Sequence, residues 1–143
     1  MSLYTADKVI SKLANVIMRD GKKSLAHRII DEAFWILKRE HNVSDPAAYT
    51  LEAIEMVRPV VELAPHRVGG RSLQVPRPLS PQRSMSLAIR FLRDAVRGGR
   101  KERGAQRRLA AELVDIHRQE GVTMRRRTEL HKLAEGNKAY AHL

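Results

Sequence analysis

Six stretches of this sequence repeat apolar residues at the spacing of an α-helix, and one β-like stretch separates the third from the fourth. Asp45-Pro46 and Ser80-Pro81 each put a capping side chain before a proline, which suits the first turn of a helix because that position needs no backbone N–H. Pro59 ends the third stretch. The pattern therefore predicts a mainly α protein. The first apolar residues of the six stretches are Val9, Leu25, Leu51, Met85, Leu109 and Leu130. In the sixth stretch Leu130, Leu133 and Ala134 are expected to face inward.

The β-like stretch, from about residue 60 to 79, contains the sequence Val68-Gly69-Gly70-Arg71. Both glycines tolerate positive φ, as the two-residue loop of a β-hairpin requires. Such a loop fixes the register, because Val68 must then face Arg71 and the remaining pairs follow by counting outward. Pro76 and Pro78 are expected to interrupt the second strand, which favours an exposed arm over a central strand.

Length and composition suit one folded domain. The 143 residues, of which 43% are hydrophobic, are enough for a compact core. The predicted fold is a single six-helix globular domain covering residues 1–143, with a β-hairpin protruding between helices three and four. There is no cysteine, so no disulfide or thiolate site is expected. No apolar run approaches the roughly 20 residues of a membrane span, and the N-terminus lacks a signal-peptide core, so no membrane partner is expected.

Positive charge is concentrated in the middle of the chain. Residues 65–108 carry twelve Lys and Arg against two Asp and Glu, which is ten of the eleven net positive charges. Residues 1–64 are neutral overall, and residues 109–143 carry a net charge of +1. A cationic surface confined to one segment most often binds a polyanion, because bound Lys and Arg release counterions from phosphates. A merely solubilising face would mix both signs.

The predicted fourth helix arranges four arginines on one side. Arg83, Arg90 and Arg97 are seven residues apart, nearly two helical turns, and Arg93 lies three residues beyond Arg90. A glycine-rich basic loop, expected to be flexible, follows from Gly98 to Gly104. The candidate nucleic-acid-binding residues of the basic segment are Arg67, Arg71, Arg77, Arg83, Arg90, Arg93, Arg97, Arg100, Lys101, Arg103, Arg107 and Arg108.

Motifs for catalysis and metal binding are missing. The six histidines form no HExxH pair, and the sequence has neither a glycine-rich phosphate loop nor a GxSxG elbow. We therefore expect no catalytic residue, no metal site and no cofactor.

Aromatic residues are few and are expected to be buried. They make up 4% of the chain, and Phe34, Trp35 and Phe91 lie within apolar stretches. Proteins that bind single strands stack bases on exposed aromatic side chains. We therefore expect this chain to grip the phosphates and the shape of a folded nucleic acid.

Two other functions are compatible with a basic helical protein. A helical DNA-binding regulatory protein would insert the fourth helix into a major groove, but that helix is dominated by arginine, with no evident Asn or Gln side chain to read bases. An enzyme acting on RNA is the other alternative, and no catalytic constellation supports it. Binding to duplex DNA compared with folded rRNA fragments would separate the DNA-binding alternative from an RNA-binding protein.

Four blocks of sequence, in order along almost the whole chain, carry a family resemblance. They are Met18-Arg19-Asp20-Gly21-Lys22-Lys23, then Arg67-Val68-Gly69-Gly70 through Gln74-Val75-Pro76, then Leu87-Ala88-Ile89-Arg90, and finally residues 131–139 with Ala141-His142. Together they resemble the S-seven family of ribosomal proteins of the small subunit.

The resemblance implies a six-helix domain with a hairpin between the third and fourth helices. It also implies a structural protein that binds the 3′ major domain of small-subunit rRNA and nucleates assembly of the subunit head. Its implied partners are that rRNA and neighbouring head proteins, with the tRNA exit site and the mRNA exit path nearby. The implied RNA-facing residues are Lys22, Lys23, Arg67, Arg71, Arg77, Arg83, Arg90 and the basic loop from Arg100 to Arg103.

The ends of the chain depart from the bacterial pattern of this family. Bacterial members usually begin with a basic N-terminal arm, and often end with an aromatic, arginine-containing tail after Ala-His. This sequence starts almost at its first helix and stops at Leu143. These departures favour an organellar ribosome, so we expect a ribosome of the mitochondrial matrix rather than of the bacterial cytoplasm.

Overall fold

The structure, a computed structural model, describes residues 5–142, and within that range it contains six α-helices and one antiparallel β-hairpin. The predicted fold class is confirmed. In chain order the elements are α1 (Ala6–Ile17), α2 (Lys23–His41), α3 (Pro46–Val57), β1 (Val61–Val68), β2 (Arg71–Pro78), α4 (Pro81–Asp94), α5 (Ala105–His117) and α6 (Val122–Gly136). A π-helical turn, Ala95–Gly99, follows α4, and a short 3-10 turn, Lys138–Tyr140, follows α6.

Local side chains explain where several helices begin and end. Asp45 and Ser80 cap α3 and α4 by accepting from backbone N–H groups three residues further on, at 3.2 and 3.3 Å. Thr5 caps α1 in the same way at 3.4 Å. Asn42 ends α2 in the left-handed conformation, with φ of 56°. The two predicted Asp-Pro and Ser-Pro helix starts are therefore confirmed.

The core is built mainly by the first five helices. Its largest fully buried apolar side chains are Leu13, Ile30, Leu37, Ile54, Met85, Ile89, Leu92, Leu109, Leu113 and Ile116. The last helix, α6, contributes only Ala134 to the buried apolar residues of the part that the structure describes. The expectation that Leu133 faces inward is wrong, because α6 packs mainly against β1 and leaves that side chain 56% exposed.

The hairpin has the predicted register, with Val68 opposite Arg71. The strand β2 nevertheless continues through Pro76 and Pro78, so the expected interruption is wrong. Opposed residues in an antiparallel hairpin alternate between hydrogen-bonded and non-hydrogen-bonded pairs. Counting from the turn places both prolines in non-hydrogen-bonded pairs. At those positions a backbone N–H would point away from β1, so its loss removes no bond from the sheet.

The base of the hairpin is anchored, whereas its tip is exposed. Val75 is fully buried, and the backbone N–H of Val60 donates to Nε2 of His131 in α6 at 3.2 Å. Burial, followed by the nearby charge of Arg127, lowers the pKa of His131 below its ordinary value, which keeps the ring neutral and Nε2 able to accept. Residues 67–72 at the tip are all exposed. The sixth helix therefore fixes where the arm leaves the body.

Candidate nucleic-acid interface

Two exposed arginines, Arg67 and Arg71, flank the turn at the tip of the hairpin. Between them Gly69 and Gly70 have φ of 55° and 83°, as a type I′ turn requires. Residues with a Cβ resist positive φ, so the two glycines keep the turn tight and hold the arginines at the end of the arm. The predicted tight turn is confirmed. RNA binding by these arginines stays a prediction.

The arginines on the predicted arginine side of α4 differ in their ion pairing. Arg90 is exposed and makes no ion pair with any residue between 5 and 142. Arg83 lies 3.4 Å from a carboxylate oxygen of Glu62 in β1, and Arg93 lies 3.1 Å from that of its neighbour Asp94. Both pairs are partly exposed, so they offset charge without contributing much stability.

Two further arginines are held by backbone carbonyls. One Nη of Arg97 donates to the carbonyls of residues 16–18 at 3.2–3.4 Å, which are groups that the end of α1 leaves unpaired. Arg108, in the first turn of α5, donates to the carbonyls of Val96 and Glu102. A carbonyl carries no net charge, so both guanidinium groups are fixed in place without an ion pair to any residue between 5 and 142.

Arg97 and Arg108 line a pocket of about 300 Å³ together with Arg19 and Lys22, and we call it the basic pocket. It lies between the α1–α2 turn, the π-helical turn and the start of α5. Its apolar wall includes Leu25, which is 44% exposed. Burial lowers the pKa of Arg97, and the guanidinium of Arg19 lowers it further because like charges disfavour the charged form. The structure thus places Arg19, which is not among the predicted RNA-binding residues, beside three that are: Lys22, Arg97 and Arg108.

Arg100 is not a free cation. Its guanidinium donates to the carboxylates of Glu102, Glu112 and Asp115 at 2.6–3.0 Å. The hydrogen bond to Glu102, together with those to Glu112 and Asp115, raises the pKa of Arg100 above its ordinary value, and Arg100 in turn lowers the pKa of Glu102. The basic loop, expected to be flexible, is therefore held by its own Arg100 and by Arg108 of α5, which donates to the Glu102 carbonyl. RNA binding by Arg100 stays a prediction, although three carboxylates already offset its charge.

Glu112 connects this cluster to α6. It is fully buried, and its two oxygens accept from Arg100 at 2.6 Å and from the backbone N–H of Thr123 at 2.7 Å. Glu112 was not predicted to matter, although one signal was present in the sequence. It lies three residues after Leu109 and one before Leu113, on the apolar side of α5. An acid on an apolar face requires a buried partner.

Arg107 lies apart from the basic pocket, in a groove between α2 and α5 that also contains Trp35. The expectation that Trp35 is buried is wrong, since its ring is 57% exposed. Ala33 and Leu37 take the core positions of this part of α2, which leaves Trp35 on the outside. The guanidinium carbon of Arg39 lies over the ring, 4.8 Å from its centroid.

The remaining candidates are dispersed. Lys23, Lys101 and Arg103 are exposed and make no ion pair within the described part of the chain, and Arg77 is half-buried opposite Glu62 in the hairpin. Their RNA contacts also stay predictions.

The family profile described as ribosomal protein S7p/S5e matches residues 2–138 of this chain. The small ribosomal subunit protein uS7 of Thermodesulfovibrio yellowstonii is 46% identical over 135 residues, which cover 94% of this chain and 85% of that protein. The uS7 protein of Acidithiobacillus ferrooxidans is also 46% identical, over 95% of this chain and 86% of its own length. The chain belongs to the ribosomal S-seven family.

Membership of the S-seven family makes this a structural ribosomal protein and not an enzyme. The family match gives no support to the DNA-binding alternative. Both relatives are bacterial, so they do not support the mitochondrial location expected from the ends of the chain. Among residues 5–142, no helix is both long and apolar enough to cross a membrane. In the same range, no three His, Asp or Glu side chains are grouped so as to hold a metal ion.

Proposed function

We propose that this S-seven-family protein belongs to the small ribosomal subunit, binds the 3′ major domain of its rRNA and nucleates assembly of the subunit head. Its other partners are neighbouring head proteins, and mRNA and exit-site tRNA pass close to it. The whole chain, residues 1–143, acts as one domain of this type. The small-subunit uS7 relatives and the order of the four sequence blocks support this proposal.

The main support is the placement of charge. Residues 65–108 carry ten of the eleven net positive charges, and both acids of this segment are engaged within the protein. Asp94 pairs with Arg93 and Arg126, and Glu102 pairs with Arg100. The exposed arginines of the hairpin tip and of α4 therefore face solvent without a competing carboxylate from their own segment. Phosphates that bind them release counterions, which favours association with RNA.

The fold also supports recognition of shape rather than of single-stranded sequence. The hairpin base is anchored to α6 through His131, and the basic loop is held by Arg100 and by the bond from Arg108 to the Glu102 carbonyl. Cations held at fixed separations match the phosphates of a folded RNA only where its backbone has the corresponding spacing. A rigid body with an arm thus selects one RNA fold without reading bases.

The proposal is tested with a triple charge reversal of Arg67→Glu, Arg71→Glu and Arg90→Glu. All three side chains are exposed and make no ion pair among the described residues, so the variant should fold normally. Its affinity for a fragment of the 3′ major domain should fall steeply. The slope of log affinity against log salt should decrease by about 0.7–0.9 for each phosphate that the variant no longer binds.

The matched control is a second triple reversal, Lys8→Glu, Arg28→Glu and Lys38→Glu, at exposed positions of α1 and α2. It changes the net charge of the protein by the same amount, and therefore measures how much affinity is lost through net charge alone, outside the basic segment. It should retain most of the affinity and of the salt slope. Equal losses of affinity in the two triple variants would show that RNA binding does not depend on the basic segment.

A further inference from the structure

We propose that the basic pocket binds one unpaired nucleotide of the rRNA, with its base against the apolar wall and its phosphate against the basic rim. This inference rests on the proposed function, because the RNA supplies the nucleotide. The pocket is formed by the end of α1, the start of α2, the π-helical turn and the start of α5.

The rim of the basic pocket carries an excess of positive charge. Four cations line it, whereas Asp20 is the single acid among its lining residues in the described chain. Arg97 and Arg108 are fixed by backbone carbonyls, which orient the guanidinium groups without neutralising them. A phosphate entering the pocket meets donors that are already ordered, so little side-chain entropy is lost on binding.

Arg97 retains donors for such a ligand. Its bonds to the carbonyls of residues 16–18 all come from one Nη, whereas a guanidinium carries five N–H groups on three nitrogens. Arg19 and Arg97 repel each other electrostatically, which is one cause of the lowered pKa of Arg97. An anion bound between them would offset this repulsion. Both features favour a phosphate over a neutral ligand.

The wall of the basic pocket is apolar. A surface that only carries charge into solvent would have no use for such a wall. Leu25 is 44% exposed, Ile29 is half-buried and Val96 is buried, and all three line the pocket beside the cations. A nucleotide combines an apolar ring face with a phosphate in one ligand. A volume of about 300 Å³ is at the small end of ligand sites, so it suits one nucleotide and not a base pair. Only an unpaired nucleotide can present its base in this way.

Leu25→Ala tests the wall without touching the charges. In titrations with the rRNA fragment, its affinity should fall by about three- to tenfold, because a base loses its packing surface, while the salt slope stays unchanged. Leu25→Met keeps an apolar wall and should bind as the wild type does. Leu133→Ala, at an exposed apolar position outside the basic pocket, is the matched control and should have no effect.

Lys22→Ala tests the rim and should lower both the affinity and the salt slope, the latter by about 0.7–0.9. If Leu25→Ala binds as tightly as the wild type while Lys22→Ala binds more weakly, the basic pocket takes a phosphate only and the nucleotide is excluded. That outcome leaves the proposed function intact. If the wild-type protein does not bind the fragment at all, the proposed function fails and the nucleotide site fails with it.

Discussion

Glu112 in α5 accepts the backbone N–H of Thr123 at 2.7 Å, so a buried carboxylate from one helix caps the start of the next. The first turn of α6 has no capping side chain of its own, because Gly121 occupies the N-cap position. The other oxygen of Glu112 accepts from Arg100 at 2.6 Å. One carboxylate thus joins the basic loop, α5 and α6.

Glu112→Ala should lower the free energy of unfolding by about 2–4 kcal/mol, because it removes a buried acceptor from both Arg100 and the Thr123 N–H. Glu112→Gln should cost less, since its amide oxygen can still accept one of the two bonds. Urea unfolding measures both. Thr123→Val is the matched control. The Thr123 hydroxyl has no hydrogen-bond partner in the described chain, and Glu112 bonds to Thr123 only through the backbone N–H, which valine keeps. If Thr123→Val is as damaging as Glu112→Ala, the carboxylate is not the cap.

Gly121→Ala should also destabilise the protein, by about 1–3 kcal/mol, because Gly121 has φ of 98°. A Cβ at this position would lie 2.8 Å from Oε1 of Glu112, which is too close for any side chain. Gly136→Ala is the control on the same helix. It has open space around the added Cβ and should stabilise by about 0.5–1 kcal/mol. Thermal or urea unfolding that ranks the two variants in the opposite order would contradict the close approach of Glu112.

Stability should fall at mildly acidic pH because of His131. Its pKa is lowered by burial and then by Arg127, so the unfolded chain binds this proton more tightly than the folded chain does. The free energy of unfolding should therefore be at its full value above the ordinary pKa of 6.5 and decrease as the pH falls below it. Protonation also removes the acceptor of the Val60 N–H. Urea unfolding between about pH 5 and pH 8 should show this dependence.

His131→Gln separates this residue from the other histidines. Its side-chain oxygen can accept the Val60 N–H but does not titrate, so its stability should change less between pH 8 and pH 5 than that of the wild type. Identical pH profiles for the two proteins would show that another group is responsible.

The base of the hairpin should matter for stability and its tip for RNA binding. Val75→Ala should cost about 1.5–2.5 kcal/mol in urea unfolding, because Val75 is fully buried. Replacing residues 67–72, which are all exposed, with a short Gly-Ser turn should leave the melting temperature nearly unchanged and weaken binding to the rRNA fragment. A large drop in melting temperature with unchanged RNA affinity would reverse this division.

Local features of the sequence predicted most of the fold. The helix starts at Asp45 and Ser80 depend only on neighbouring residues. The hairpin register follows from the two-glycine turn, because the strand pairs are then fixed by counting outward from it. The expected interruption of β2 at Pro76 is wrong, because the effect of a proline depends on whether it occupies a hydrogen-bonded pair of the hairpin. The exposure of Leu133 could not be read from its spacing, because it depends on α6 packing against β1 rather than into the core.

The candidate interface was predictable in outline and not in detail. Counting charges located the basic segment, but the same residue type has different roles within it. Arg90 is exposed and makes no ion pair in the described chain, Arg97 caps α1 through its carbonyls, and Arg100 is surrounded by three carboxylates. These differences arise from interactions between residues up to 81 positions apart, which a local pattern does not contain.

Residues 65–108, with Lys22 and Lys23, are the part of the protein that we expect to face rRNA. Photo-crosslinking within isolated small ribosomal subunits that contain this protein, followed by mass spectrometry, measures this directly. Crosslinked peptides should come from the hairpin, α4 and the basic loop, and should be joined to nucleotides of one rRNA domain. Crosslinks confined to α2 and α3 beyond Lys23, with none from residues 65–108, would contradict this placement of the RNA-binding surface.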